Sequence, residues 1–481
     1  MLACAALFSL ATLAGISAAT NANRVVRVNV GVFDPAEGRA IAGLDRGDFS
    51  LQDNGEQRSI SAFKALRPSG KLLRTRAASG YWISNRPDAE HDVNRPATII
   101  LLDAQNTGPQ YQPWSISQIA RFTALLGPEE QIAVYQLRQD GLFLLHEFTG
   151  NHQHLLAAIA PEAMVHNAKT NKWQLDYRRI RVLPASSPFG LSTYRALERL
   201  ACQMSRYSGR KNLFWISAEF PRLFPDGKDT EFAADAMAAA HALEAAGVAV
   251  FPVDVRSPVP AVPFQPQPPV IGSHKPAVND RQFVRNMNAI ADATGGKAIV
   301  NRPELAEAIV DTMRATQRSY ELDFEVPAGQ LDGSYHDLRV RIRQHGLKLI
   351  YNHGYFAQVP RRCSPDEQFD NPEVGISARV SIEPDAMLLL EVRLLAGISL
   401  RAMGARAALW QLSITDANSG AVLATATGNG SQLDVSVKVP GRSRQLRASV
   451  REEASGRTGT VTLPLDVITR AEMAPDNETP Q

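Results

Sequence analysis

Cysteine is nearly absent from this chain, with three in 481 residues. That excludes a disulfide-stapled scaffold and a Cys-rich zinc module, which need closely grouped cysteines. Cys4 lies in a leading apolar stretch and lacks the upstream residues of a lipoprotein box. Cys202 and Cys363 remain, either as one disulfide or as two buried thiols. An excess of one charge is missing too: 51 Lys and Arg stand against 49 Asp and Glu, without a long basic run. Neither nucleic acid nor an anionic membrane surface is therefore an expected partner. There is no GxSxG elbow, Gly-rich phosphate loop, dinucleotide fingerprint or Cys/His nucleophile pair. The expectation is a protein that is not an enzyme.

What is present starts at the N-terminus. Leu2 to Ala19 are apolar or small, no charge precedes Arg24, and Ser17, Ala18 and Ala19 end the stretch. This pattern predicts a signal peptide over 1–22, although a positively charged leading region is missing. A short membrane anchor is the other reading. With cleavage, the mature chain is expected to be secreted, periplasmic or held at the cell envelope, with no transmembrane segment. The 44% hydrophobic and 21% charged residues are those of an ordinary globular protein, and the length suits roughly two to four domains.

Val26, Val28, Val30 and Val32 alternate with polar residues, the period of a half-buried strand. A turn at Asp53-Asn54-Gly55 follows, so 24–65 is read as a small β unit. After a polar connector over 66–95 the rhythm changes. Thr98 to Leu102, Ile132 to Leu137, Leu213 to Ile216 and Val248 to Val253 are short apolar runs, as in strands buried on both faces. Helical patterns separate them, around Ile116, Leu155, Leu197, Phe232 to Ala246 and Phe283. Strands alternating with helices predict an α/β, doubly wound, mainly parallel sheet over 96–317. A stretch with seven prolines, 257–276, interrupts it as an exposed loop. Alternation returns over 319–357, where strands are expected to pair with the first β unit. A linker at Ser364 to Pro372 leads to strand signals at 386–395, 408–415, 421–427, 433–439, 445–451 and 460–467. With no helix among them, 374–468 reads as an all-β sandwich, and 469–481 as a flexible tail.

Three strings appear in order across 24–357. They are Gly43-Leu44-Asp45-Arg46-Gly47-Asp48-Phe49-Ser50-Leu51-Gln52-Asp53-Asn54-Gly55, Leu101-Leu102-Asp103-Ala104-Gln105-Asn106-Thr107, and Leu331-Asp332-Gly333-Ser334-Tyr335-His336 with Gly354-Tyr355-Phe356-Ala357. On these strings the chain resembles a bacterial VWFA-related family, of the VWFA-related Acidobacterial domain type. The resemblance implies a von Willebrand factor A-like (VWA), Rossmann-like fold with a metal-ion-dependent adhesion site; the last β region lies outside it. Residues carried over to that site are Asp103, with Gln105 and Thr107 in the places of two serines, Thr193 (or Ser192) for the second-loop hydroxyl, and Glu219 for the last acid. The Gln in a Ser place makes the site degenerate. The implied cofactor is Mg²⁺, bound weakly or not at all, and the implied partner is an unknown protein ligand that offers an acidic residue to the metal. Binding or adhesion is the leading expectation, with a purely structural envelope component, or a hydrolase using Asp103 and Glu219, as alternatives.

Other polar residues carry less. His146, Glu147, His152 and His154 fit no zinc spacing and are expected on the surface. Asp254, just past a strand, is expected to satisfy a loop at the sheet's rim. Arg339, Arg341 and Arg343 form a solvated basic face.

Overall fold

The computed structural model covers 23–465, apart from 37–38, 67–80, 86–95, 128–129, 131, 140, 150–151, 161–162, 168–171, 177–178, 182, 184–190, 208, 221–232, 257–278, 317, 360–369, 372, 385–388, 400–408, 418, 431 and 441–444. The expected signal peptide, the Pro-rich loop, Cys363 and the tail all lie outside the described residues.

The first region runs β1 (Arg24–Asp34), β2 (Arg39–Ala40), β3 (Phe49–Asp53), β4 (Glu56–Arg58) and β5 (Ala62–Leu66). Asn54 and Gly55 both take positive φ, 47° and 87°, the geometry a two-residue hairpin between β3 and β4 requires. Then come β6 (Tyr81–Ser84), β7 (Ala97–Asp103), α1 (Gln112–Ala124), β8 (Ile132–Arg138), β9 (Gly141–Thr149) and α2 (His152–Ile159). These are followed by β10 (Met164–Asn167), β11 (Lys172–Leu175), α3 (Leu191–Met204), β12 (Lys211–Ser217), α4 (Ala233–Ala245), β13 (Val248–Asp254), α5 (Asn279–Thr294) and α6 (Leu305–Thr316). The remainder is β: β14 (Ser319–Val326), β15 (Tyr335–Ile342), β16 (Lys348–Ile350), β17 (Gly354–Phe356), β18 (Gly375–Pro384), β19 (Leu389–Ser399), β20 (Leu409–Asp416), β21 (Val422–Asn429), β22 (Gln432–Pro440), β23 (Gln445–Glu452) and β24 (Thr458–Pro464).

The central sheet has the order β13-β12-β7-β8-β9. β13, β12, β7 and β8 are parallel and β9 closes the edge antiparallel to β8. Residues of β7 alternate between two cores. Ile99 and Leu101 face Leu197, Leu200, Leu243 and Met287 of α3, α4 and α5. Ile100 and Leu102 face Ile119, Phe122, Leu155 and Ile309 of α1, α2 and α6. A strand buried on both faces has no polar side to show, which is why the runs in the sequence are continuous rather than alternating. The mixed α/β class read from the sequence is the one observed.

Around this sheet lie two antiparallel regions. β16-β1-β14-β5 and β17-β15-β3-β4 share a core of Val26, Val28, Val30, Leu51, Leu322, Phe324, Val340 and Tyr355. β1 and β14, about three hundred residues apart in sequence, pair from Arg24↔Val326 to Gly31↔Ser319. β22-β19-β18-β6 and β21-β20-β23-β24 form a second pair of sheets around Val380, Val392, Trp410, Leu412, Val450 and Leu463.

The structure departs from the sequence reading in several places. The 66–95 connector carries β6, which pairs with β18 from Ser377↔Ser84 to Val380↔Tyr81. β18 itself is a strand that the signals beginning at 386 missed, and the β10–β11 hairpin was not foreseen. β6, β10 and β11 have four residues each, too short to show a period, so only pairing reveals them. His146 and Glu147 are buried, at 2% exposure each, not on the surface. β9 is an edge strand, but α2 and the second pair of sheets cover it.

Candidate functional site

β7 is central, with β12 on one side and β8 on the other, so the connections leaving β7 and β12 diverge at their carboxyl ends. Open wound sheets collect ligands at such a point. Asp103 ends β7 there. The backbone N–H groups of Ala104 and Gln105 bond to the Leu137 carbonyl of β8, at 2.9 and 3.1 Å, and fix the loop that follows. Gln112, opening α1, donates to the carbonyls of Thr107 and Leu183 and accepts from the Leu183 N–H, tying that loop to another.

Asp103 is 2% exposed, and its carboxylate is surrounded by donors. Oδ1 accepts from the Asn106 N–H at 2.9 Å and from Asn106 Nδ2 at 3.1 Å. Oδ2 accepts from Asn106 Nδ2 at 2.9 Å, Trp215 Nε1 at 2.9 Å and Ser217 Oγ at 3.0 Å. The same Asn106 nitrogen reaches Thr193 Oγ1 at 3.1 Å. Gln105 Nε2 donates to Ser192 Oγ at 2.8 Å and to Thr193 Oγ1 at 3.3 Å. Thr107 Oγ1 accepts the Ala218 N–H at 3.1 Å, which links the loops after β7 and β12. Burial pushes the Asp103 carboxyl up to about 6, against the hydrogen bonds from Asn106, Trp215 and Ser217 that favour its ionised form.

The five residues named from the sequence thus have different fates. Asp103, Gln105 and Thr193 share one network, and Thr107 joins it through Ala218. Glu219 does not join with its carboxylate: the residue is exposed, and only its backbone meets Ser217. Sequence reasoning missed Asn106, Trp215 and Ser217. Asn106 stood inside the quoted string, at a position taken for a spacer. Trp215 and Ser217 are brought in only by the pairing of β12 with β7.

This donor set does not fit a divalent cation on Asp103. Mg²⁺ is held by lone pairs on oxygen, whereas here N–H and O–H groups point at both carboxylate oxygens. The Asn106 carboxamide nitrogen bridges Asp103 and Thr193, joining the two loops. Among the described residues no group of three or more His, Cys, Asp or Glu could hold a metal ion. One acceptor at the rim is left over: Gln105 Oε1 is buried and has no hydrogen-bond partner among the described residues.

A second polar cluster lies in the first β region. Asp53, 1% exposed, bonds through Oδ1 to His336 Nδ1 at 2.9 Å. Its Oδ2 accepts from Tyr355 Oη at 3.1 Å and from the Arg58 guanidinium at 2.9 Å. His336 Nε2 lies 3.4 Å from the exposed Asp332. The first and last of the three strings therefore converge here, binding β3, β4, β15 and β17 together, not at the rim. A depression of about 390 Å³ lined by Arg46, Phe49, Gln57, Arg58 and Ile60 belongs to this region as well.

The remaining candidates are placed as follows. His146 and His154 stack with ring centroids 6.1 Å apart, and burial lowers them to about 4 and about 3, so both are neutral at neutral pH. Asp254 accepts the Arg256 N–H at 2.8 Å and pairs with its guanidinium, satisfying the loop after β13. Arg339, Arg341 and Arg343 are exposed. No helix among the described residues is long and apolar enough to cross a membrane.

No family model and no curated protein matches the sequence. Among solved structures, the chain is similar to the N-terminal domain of TFIIH p34, with 10% identity and a TM-score of 0.26, over 46% of this chain and 96% of that one. It is similar to the pilus adhesin SpaC from Lactobacillus rhamnosus GG, with 9% identity and a TM-score of 0.28, over 86% of this chain and 59% of the adhesin. It is also similar to the SpRpn10 VWA domain, with 15% identity and a TM-score of 0.18, over 34% of this chain and 90% of that one. With scores this low, the site is read from its own geometry.

Proposed function

We propose that this chain is a VWA-like interaction protein, exported from the cytoplasm, that meets a protein partner at the carboxyl-end rim of its wound sheet without a metal ion. The observation that carries this reading is the saturation of the Asp103 carboxylate by Asn106, Trp215 and Ser217. A carboxylate held in this way is a joint between loops. It fixes the β7 loop against α3 and the loop after β12, and so shapes the exposed residues above it: Pro109, Gln110, Ser192, Arg195 and Glu219. Gln105 Oε1 is a spare acceptor for a bridging water or a donor from the partner. A hydrolytic reading is weaker, because its two carboxylates do not face each other: Asp103 is buried and Glu219 exposed.

The test compares thermal melting and partner capture from native envelope with Mg²⁺ and with chelator. Neither the melting midpoint nor the captured protein should change. A rim variant, Arg195→Glu with Glu219→Arg, should keep the midpoint and lose the partner. A chelator-sensitive midpoint would sink the metal-free reading, and capture unaffected by the rim variant would move the interface elsewhere.

A further inference from the structure

The wound sheet and the second pair of β sheets meet along β9 and α2, where Leu145, Ala157 and Ala158 enter the core of the sheet pair. Two acidic side chains are buried at this seam. Glu147 on β9 is 2% exposed, and Asp370, in the segment leading to β18, is fully buried. Asp370 is well supplied with donors. Thr462 N–H reaches Oδ2 at 2.7 Å, Thr462 Oγ1 and Thr460 Oγ1 reach Oδ1 at 2.9 and 3.3 Å, and Arg447 Nε of β23 lies 3.7 Å away. Glu147 is not so supplied. Neither of its carboxylate oxygens meets a donor in strict hydrogen-bonding geometry among the described residues; the Phe148 backbone N–H acts on it weakly, and Asp370 acts on it both as a charge and as a hydrogen-bonding side chain.

Among the described residues, the other groups around the pair leave one charge unbalanced. β8 contributes the phenol of Tyr135, and the turn after α3 contributes the phenol of Tyr207; burial and the two carboxyls keep both protonated. Arg206 of that turn is spent on Asn371 Oδ1 at 3.4 Å, and Gln203 of α3 bonds the Asp370 carbonyl. On β9 itself the neighbouring His146 bonds the Glu147 carbonyl, and His154 of α2 stacks on it; both are neutral. Among the described residues, Arg447 is the cation paired with Asp370, and none is paired with Glu147. Two negative charges close together in a dry interior repel strongly.

We propose that Glu147 and Asp370 share a single proton, an O–H of Glu147 donating to the Asp370 carboxylate, and that this proton fastens the second pair of sheets to the edge of the wound sheet. The seam is then pH-sensitive. Burial first, and Asp370 second, hold the Glu147 carboxyl well above its usual range. A carboxyl raised by folding stabilises the native state most below its ordinary pKa, and that stability is lost as pH rises through the raised value. Ionisation of Glu147 at alkaline pH therefore loosens the seam.

The test uses the full chain and Glu147→Gln, whose carboxamide keeps the shape and the donor but cannot ionise. Melting midpoints are followed from about pH 5 to about pH 9, a range that brackets the ordinary titration of carboxyl and imidazole groups. The variant should match the native protein at the acid end and exceed it increasingly toward the alkaline end. Protease release of the C-terminal sheets should quicken with pH in the native chain alone. A constant offset between the two proteins across the range overturns the proposal. If the variant does not fold, infrared spectroscopy of the native protein decides. A protonated-carboxyl band persisting at about pH 8, above the values near 6 and 7 of Asp103 and Glu244, supports a shared proton, and its absence refutes it.

Discussion

Asp103 and Asp53 are both buried aspartates that tie several strands together, yet they balance their charge differently. Asp53 has cationic or ionisable partners, with Arg58 at 2.9 Å and His336 at 2.9 Å, and Tyr355 as a third donor. Among the described residues Asp103 has only neutral ones: an amide N–H, a carboxamide, an indole and a hydroxyl. Neutral dipoles offset only part of the cost of burying an anion, so the Asp103 carboxyl rises to about 6. The first arrangement is a lock between antiparallel strands. The second shapes loops at a sheet rim while leaving the charge sensitive to its surroundings.

The largest expected effect tests the lock. Asp53→Ala strands the Arg58 guanidinium, the His336 ring and the Tyr355 hydroxyl together, and should cost roughly 3 to 5 kcal/mol in urea denaturation. A loss below about 1 kcal/mol, the worth of a single ordinary hydrogen bond, would erase the contrast. Next comes the rim. Asn106→Leu removes a backbone-anchored carboxamide that bonds both Asp103 oxygens and Thr193, and should cost about 2 kcal/mol. Its pH signature has a definite sign. Because folding raises Asp103, native stability falls as pH climbs from the ordinary carboxylate range through about 6. Without the largest opposing hydrogen bond, that fall should move to higher pH in the variant; an unmoved profile would mean that Asn106 does not hold the charge. The smallest effect is Tyr355→Phe, which removes one donor from Asp53 while Arg58 and His336 remain. A loss of about 1 kcal/mol by thermal melting is expected, and a loss as large as that of Asp53→Ala would show that the phenol, not the cation, is the lock.

Much of the α/β region could be read without coordinates. The uninterrupted runs at Thr98 to Leu102 and Val248 to Val253 read as strands covered on both sides, and the helical pattern of Phe232 to Ala246 ends at Gly247, which takes φ 67° as a helix terminator should. The alternating valines of β1 likewise fixed one buried face. β6, β10 and β11 were not readable, because four residues carry too little of a period; β18 alternates from Ile376 to Glu383 and was overlooked. At the site, Asp103 was found from its place at a strand end. Glu219 was carried over by position and points to solvent, while Asn106 was passed over because the adhesion-site pattern makes its position a spacer. His146 and Glu147 looked like surface residues because they fit no ligand spacing and a polar loop follows their hairpin; part of the layer that buries them comes from another part of the chain.

The sequence by itself determined the elements whose stability is local: buried strand runs, amphipathic helices and the Asn54-Gly55 turn, each written in a period of two, a period near four or a backbone preference. The tertiary structure alone decided which polar atoms meet. Trp215 and Ser217 reach Asp103, and Asp53 reaches His336 and Tyr355, through strand pairings up to about three hundred residues apart. Hydrogen bonds act over about 3 Å, and a one-dimensional pattern carries no record of such distances between remote residues.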